Sequence, residues 1–277
     1  MSIHSASVIG PVRQSNEDKH QIITNLDGKN PLIKNINLYS VFDGHGGKFV
    51  SKFLHDNISK FFTDLKVNYP LNKKYVLDVY SHIQSTLKSK HYAKSVDTGS
   101  TCLIVVEYIM DGNKYLNVCN TGDSRAVISR GNFAVPLTLD HKPTWPEEKY
   151  RIEKKGGVIE YDSRNVRDEL KDAPRISGLS VSRAFGDISA EPYVINTPDI
   201  YRYKLNKNDR FMVLACDGLW DVLSNDSVVN YVLEHCYCME TNKRKNKQIN
   251  IAKKLTDYAI EKKSEDNITV IVVFFDK

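Results

Sequence analysis

Short apolar runs that finish at a carboxylate are the feature that most constrains this chain. Leu38–Phe42, Cys102–Ile109, Tyr115–Cys119, Ala126–Ser129, Phe211–Ala215 and Ile268–Phe275 are rich in Val, Ile, Phe and Tyr. Several are almost unbroken by polar residues, as expected of strands buried on both faces. Asp43 follows the first run, Asp123 follows Tyr115–Cys119, Asp217 follows Phe211–Cys216, and Asp266 stands just before the last run. Turn chemistry explains any one of these, because Asp-Gly and Asp-Asn are common where strands end. As a set they raise a physical problem: converging strand ends would crowd carboxylates that repel one another and are costly to desolvate.

Other segments carry a helical period. Phe49, Val50, Phe53, Leu54, Ile58, Phe61, Phe62 and Leu65 mark one stripe, and Val76, Val79, Tyr80, Ile83 and Leu87 a second. Ile251, Ala252, Leu255, Tyr258 and Ala259 mark a third, with Val228–Leu233 on a fourth helix. Strands fall in clusters with helices in pairs between them, which predicts an α+β fold with antiparallel sheets. Apolar blocks recur along all 277 residues with no linker and no repeat, so residues 1–277 read as one domain.

Composition excludes several classes. Hydrophobic residues make up 41% and charged residues 26%, which permits a large core and excludes general disorder. No run approaches the ~18 apolar residues of a membrane span. The start, Met1-Ser2-Ile3-His4-Ser5, lacks a signal-peptide pattern, and Ser2 excludes myristoylation. The formal charge of +5 suits acidic or phosphorylated partners but is no nucleic-acid footprint. Five cysteines, an odd number without an export signal, predict free thiols and a cytoplasmic location. Cys236 and Cys238 form a single C-x-C pair, too little for zinc. Lys243–Lys247 reads as a basic surface loop, with nuclear targeting as the alternative, and Glu160–Arg175 as a charged flap.

Carboxylates without clustered His or Cys are hard oxygen ligands, suited to Mg²⁺ or Mn²⁺. Glycine beside Asp43 lets the backbone come close, so a peptide carbonyl can coordinate as well. Two such ions about 3.5–4 Å apart can hold a bridging water and clamp a phosphoryl group. Arg13, four residues before Glu17, has the planar fork that binds phosphate, and His45, two residues after Asp43, can protonate a leaving group.

In this order the motifs resemble the metal-dependent protein Ser/Thr phosphatases, the type 2C (PPM) family. They are Arg13…Asn16-Glu17-Asp18, Val41-Phe42-Asp43-Gly44-His45-Gly46-Gly47, Gly99-Ser100-Thr101 and Asn120-Thr121-Gly122-Asp123-Ser124-Arg125. Leu137…Asp140-His141-Lys142-Pro143, Ser182-Arg183-Ala184-Phe185-Gly186-Asp187, Cys216-Asp217-Gly218-Leu219-Trp220-Asp221 and Glu265-Asp266-Asn267 complete the set. The resemblance implies a four-layer sandwich: two mainly antiparallel sheets flanked by helices, with a metal cleft at one end. It implies that Asp43 bridges two ions, that Asp217 and Asp266 complete the shell of the first, and that Glu17 and the Gly44 carbonyl serve the second. Asp18 would orient a metal-bound water. Asp123 and Asp221, with Asp217, match a third, weaker ion site. Arg13 would hold the substrate phosphate and His45 would be the general acid. The implied reaction is hydrolysis of phosphoserine or phosphothreonine in proteins, without a phosphoenzyme.

One departure concerns the segment Arg175…Gly178-Leu179…Arg183, where the family usually has one residue more between the glycine and the leucine. The strand start there is expected to be altered. Two other readings are weaker. A scaffold of the same fold would generally have lost metal ligands, and all are acidic here. A nucleotide-binding enzyme would need a phosphate loop, and Gly44–Lys48 lacks that pattern. Nothing in the sequence demands more than a monomer.

Overall fold

The computed structural model describes residues 2–26, 33–64, 67–161, 174–238, 240–241, 243–244 and 249–275. In chain order the longer elements are β1 (Ser2–Val8), β2 (Lys19–Leu26), β3 (Ile33–Phe42), α1 (Phe49–Thr63) and α2 (Lys73–Lys90). Next come β4 (Cys102–Met110), β5 (Asn113–Thr121), β6 (Arg125–Arg130), β7 (Phe133–Pro136) and α3 (Pro146–Lys154). The chain closes with β8 (Asp199–Lys204), β9 (Asp209–Ala215), α4 (Asn225–Cys236), α5 (Ile251–Glu261) and β10 (Ile268–Phe274).

The strands form two five-stranded sheets, ordered β1-β10-β9-β6-β7 and β8-β5-β4-β3-β2, and every pairing in them is antiparallel. Residue parity along the central strands assigns each side chain to a layer. Leu103, Val105, Met212, Leu214, Ile271 and Val273 fill the space between the sheets. Their neighbours Ile104 and Val106 face outward under α1 and α2, together with Leu54, Ile58, Val76 and Ile83. On the other sheet Val213, Val270 and Val272 pack under Val228, Val232 and Leu255 of α4 and α5. The result is the expected helix–sheet–sheet–helix sandwich, and it explains the unbroken apolar runs: both faces of each central strand are covered.

Local sequence sets the helix starts. The Asn72 side chain accepts from the Lys74 and Tyr75 amides, Ser224 accepts from Ser227, and Asn250 from Lys253. Pro146 opens α3, with Glu147 and Glu148 in its first turn.

The six strands expected from apolar runs are the six inner ones. The four that pattern did not reveal, β1, β2, β7 and β8, are the four sheet edges. Edge strands are only half covered and so need no continuous apolar run; Phe133 of β7 is 75% exposed. Just before Leu179 the chain makes a tight reversal. Ser177 and Gly178 both have positive φ, and Ile176 and Leu179 exchange backbone hydrogen bonds of 2.9 Å across them. Of the expected flap, Glu160–Tyr161 pairs with Pro174–Arg175; residues 162–173 lie outside the described residues, as do 245–248 of the basic loop and Leu65 of the first stripe.

A buried ionic cluster ties α3 to the segment before β8. Glu148, 3% exposed, accepts from Arg183 at 2.7 Å and Arg151 at 2.8 Å, and Arg183 also reaches Asp199 at 3.0 Å. Burial alone would raise the Glu148 pKa, but the hydrogen bonds from Arg183 and Arg151 outweigh it and lower the value to about 2. A carboxylate depressed in the folded state adds stability above its unfolded pKa, and that stability is lost as pH falls toward the folded value. Acidification from about pH 4.5 to 2 should therefore erode the wild type more steeply than Glu148→Gln. At neutral pH the variant should be less stable by about 3 kcal/mol; urea titrations of both proteins across that range check this. Leu214→Ala, cut from between the sheets where Leu214 is fully buried, should cost about 2–5 kcal/mol by the same measurement.

Candidate metal centre

Antiparallel register gathers the acidic residues at one end of the sandwich. Phe42 pairs with Lys19, Cys102 with Thr121, and Ala215 with both Arg125 and Val270. The residues just beyond these pairs are therefore neighbours in space although far apart in sequence. They surround a cleft of about 1090 Å³ lined by Arg13, Glu17, Asp43, Gly44, His45, Asp123, Asp217, Asp221 and Asp266. Asp18, 3% exposed, lies beneath it.

Within the cleft the carboxylate oxygens of Asp43, Asp123 and Asp217 all lie within 4.8 Å of one another. A second group of the same compactness joins Asp43, Asp18 and the Cys216 sulfur, so Asp43 is common to both. Glu17, Asp221 and Asp266 line the same cleft but stand outside these two groups. Burial, and then the charges of Asp217, Asp18 and Asp123, push the Asp43 carboxyl well above its ordinary range. Asp217 is raised in the same way by burial and by Asp123 and Asp221. Asp221 is raised by burial, against the pull of Lys142.

Several of these acidic residues are held by neighbours. The Asp43 amide donates to Thr101 Oγ1 at 3.1 Å, and Thr101 is in turn 2.7 Å from Ser124 Oγ. Glu17 Oε2 accepts from the Gly47 amide at 3.1 Å, while the Glu17 amide donates to Asn267 Oδ1 at 2.9 Å. Arg13 Nη2 donates to Asp266 Oδ2 at 2.5 Å. Lys142 Nζ donates to Asp123 Oδ2. Asp18 Oδ2 accepts from Thr269 Oγ1 at 2.6 Å and from Cys216 Sγ at 3.3 Å. Burial raises the Asp18 pKa to about 6, with those two hydrogen bonds opposing the rise.

Gly44 has no room for a side chain. A Cβ there would lie 2.5 Å from the Glu17 carbonyl oxygen and 2.7 Å from Ser51 Oγ. The glycine therefore lets the backbone after Asp43 press against the Glu17 segment.

The donor set fits hard divalent cations. It is rich in carboxylate oxygens, and the buried Asp18 Oδ1 has no hydrogen-bond partner among the described residues. Cys216 is fully buried, and burial plus the charges of Asp18, Asp43 and Asp217 keep it a neutral thiol. Its burial follows the sequence expectation, although it lies just past β9 rather than in the strand; its hydrogen bond to Asp18 was not expected. Lys142 and Asp187 were also without a role in the motif reading. Lys142 touches Asp123, and Asp187 Oδ2 is 2.7 Å from His45 Nε2. Their position inside the motifs Asp140–Pro143 and Ser182–Asp187 was the one signal available. For His45, burial opposes the charged ring, but the hydrogen bond to Asp187 and the charges of Asp187, Asp123 and Glu17 raise its pKa.

An α-β-β-α sandwich with an acidic cleft at the sheet ends defines a class of hydrolase folds, and comparison with known proteins identifies which. The family model described as Protein phosphatase 2C matches residues 4–268. A PP2C-like domain-containing protein R307 of Acanthamoeba polyphaga mimivirus is 41% identical over 172 residues, 58% of this chain and 95% of that protein. The probable protein phosphatase 2C 69 of Arabidopsis thaliana is 38% identical over 95% of this chain, which spans 67% of that protein. In structure, the fold matches that of a phosphatase from Toxoplasma gondii with a TM-score of 0.76, at 24% identity, over 98% of this chain and 92% of that one. The chain belongs to the protein phosphatase 2C family of serine/threonine phosphatases.

Crowded carboxylates weaken the fold when no cation screens them. In chelator, Asp217→Asn should melt roughly 2–4 °C above the wild type, as expected for relief of about 1 kcal/mol of repulsion. In millimolar Mn²⁺ the order should reverse, because the wild type gains more from the ion. Thermal melts of both proteins in both buffers check this.

Proposed function

We propose that this chain is a metal-dependent phosphatase acting on phosphoserine and phosphothreonine in proteins, and that residues 1–277 serve as one catalytic domain. The observation that carries this reading is the close group of Asp43, Asp123 and Asp217 in a cleft that Glu17, Asp221 and Asp266 also line. Such an acidic cleft suits divalent ions, Mg²⁺ or Mn²⁺, as a pair. Asp43, Asp217 and Asp266 would hold one of them, and Asp43, Glu17 and the Gly44 carbonyl the other. Asp123 and Asp221 with Asp217 would hold a third, weaker ion. When bound, the ions supply Lewis acidity: they lower the pKa of water and offset charge on the phosphoryl oxygens.

The chain's own residues do the rest. The exposed guanidinium of Arg13 spends one nitrogen on Asp266 and has further N–H groups for substrate phosphate. Asp18, buried and with one oxygen unpartnered, aligns the attacking water. His45 lines the cleft and gives a proton to the departing serine or threonine oxygen. The Cys216 thiol is fully buried, with its pKa raised by burial and by Asp18, Asp43 and Asp217, which suits hydrolysis by water rather than attack by this thiol. Charged side chains such as Arg13, Lys142 and Arg175 line the cleft, which suits a phosphorylated side chain presented by a protein.

Phosphate release from a phosphothreonine peptide tests the proposal. Turnover should require added Mn²⁺ or Mg²⁺ and stop in chelator, and Asp217→Ala should lower it by at least about 100-fold while the protein stays folded. Folded wild-type protein that releases no phosphate with either ion would refute the reading.

A further inference from the structure

His45 is not held by its own loop alone. It lies on a short strand, Gly44–His45, that pairs with Gly99–Ser100, and Gly99–Ser100 pairs on its other side with Phe185–Gly186. The residue after this third strand is Asp187, 3% exposed, whose Oδ2 is 2.7 Å from His45 Nε2. Among the described residues, Nδ1 of the ring has no hydrogen-bond partner.

The corner that delivers Asp187 is built with care for position. Asp187 has φ +46°, the left-handed region that few residues other than glycine enter, although Asp tolerates it better than most. Its amide donates to the Thr98 carbonyl at 3.0 Å. Gln84, on α2, brackets the preceding residue: the Gly186 amide donates to Gln84 Oε1 at 3.0 Å, and Gln84 Nε2 donates to the Gly186 carbonyl at 2.9 Å. Gly99 must be glycine, because a Cβ there would sit 2.0 Å from Asp187 Oδ2 and 2.4 Å from His45 Nε2. A strained backbone fixed by independent contacts is a mark of functional positioning.

We propose that Asp187 is a positioning residue for phosphoryl hydrolysis: it grips the His45 ring at Nε2 so that Nδ1 delivers the proton to the leaving group, and Gln84 holds Asp187 in place. This rests on the reading of His45 as the proton donor. In the step it serves, the bond from phosphorus to the serine or threonine oxygen breaks as the bond from the attacking water oxygen to phosphorus forms. The Nδ1 proton passes to the departing oxygen. The proton lost by the attacking water leaves with inorganic phosphate, and solvent returns a proton to the ring. A carboxylate on the far nitrogen fixes ring plane and tautomer, the role that a buried Asp plays toward a catalytic histidine in other hydrolases.

Leaving groups separate positioning from simple structural support. A threonine alkoxide needs a proton as it departs, whereas p-nitrophenolate leaves without one. Asp187→Asn keeps the size of the side chain and its tolerance of positive φ. With saturating Mn²⁺ its kcat on a phosphothreonine peptide should fall about 10–100-fold, and its kcat on p-nitrophenyl phosphate less than about threefold. His45→Ala, measured beside it, should show the same selectivity. Equal losses on both substrates, or unchanged turnover on both, would overturn the role of Asp187 while a selective His45→Ala leaves the proton-donor reading standing. A His45→Ala variant without selectivity would overturn both. If Asp187→Asn does not fold, Gln84→Met is measured in its place; a loss confined to the peptide supports the proposal, and a loss on both substrates or neither rejects it.

Discussion

Like charge held at close range is the constraint around which this protein is organised. Three carboxylates whose oxygens lie within 4.8 Å of one another, and a fourth buried below them, would drift apart on a flexible scaffold. Here they cannot, because each sits within a few residues of a strand end. Asp43 follows β3, Asp123 lies between β5 and β6, Asp217 follows β9, and Asp18 precedes β2. The strands are fixed by two ladders and by three apolar layers in which nearly every inner side chain is fully buried. Packing energy from the whole sandwich thus opposes repulsion concentrated at one end, and cations relieve what packing does not.

Cations of the chain itself share that work around the rim. Lys142 reaches Asp123, Arg13 reaches Asp266, and Arg125 bonds Asp140 beside the turn that carries Asp123. These pairs differ in kind from the bracket around Asp187. The rim pairs balance charge on groups that face the cleft, whereas Gln84 and Gly99 set the place of a carboxylate that meets a neutral or protonated ring. One arrangement concerns net electrostatics and the other concerns direction, and a phosphoryl-transfer site needs both.

The legible part of the fold was its centre. Leu38–Phe42, Phe211–Ala215 and Ile268–Phe274 announce themselves because burial on both faces demands apolar residues at nearly every position. The edges β1 and β7 were not legible, since one uncovered side relaxes that demand. Helix α3 was missed for a related reason: its buried residues are Ile152 and the ion-paired Glu148, which leave no apolar stripe. At the cleft, residue types at strand ends identified the carboxylates, His45 and Arg13. They did not identify the partners, because a Gln on α2 or a Cys just past a strand end carries no mark of what it will touch.

What the sequence determined by itself was therefore the alphabet of the site and the layered class of the fold. Both depend on local periodicity and on side-chain chemistry, which are written along the chain. Tertiary structure alone decided that Asp43 belongs to two groups at once, that Cys216 serves as a donor to Asp18, and that Asp187 stands behind His45 from 142 residues away. Those facts follow from strand register and from the closeness of Gly99 to its two neighbours. Register is the sum of many weak contacts spread over both sheets, so no single stretch of sequence contains it.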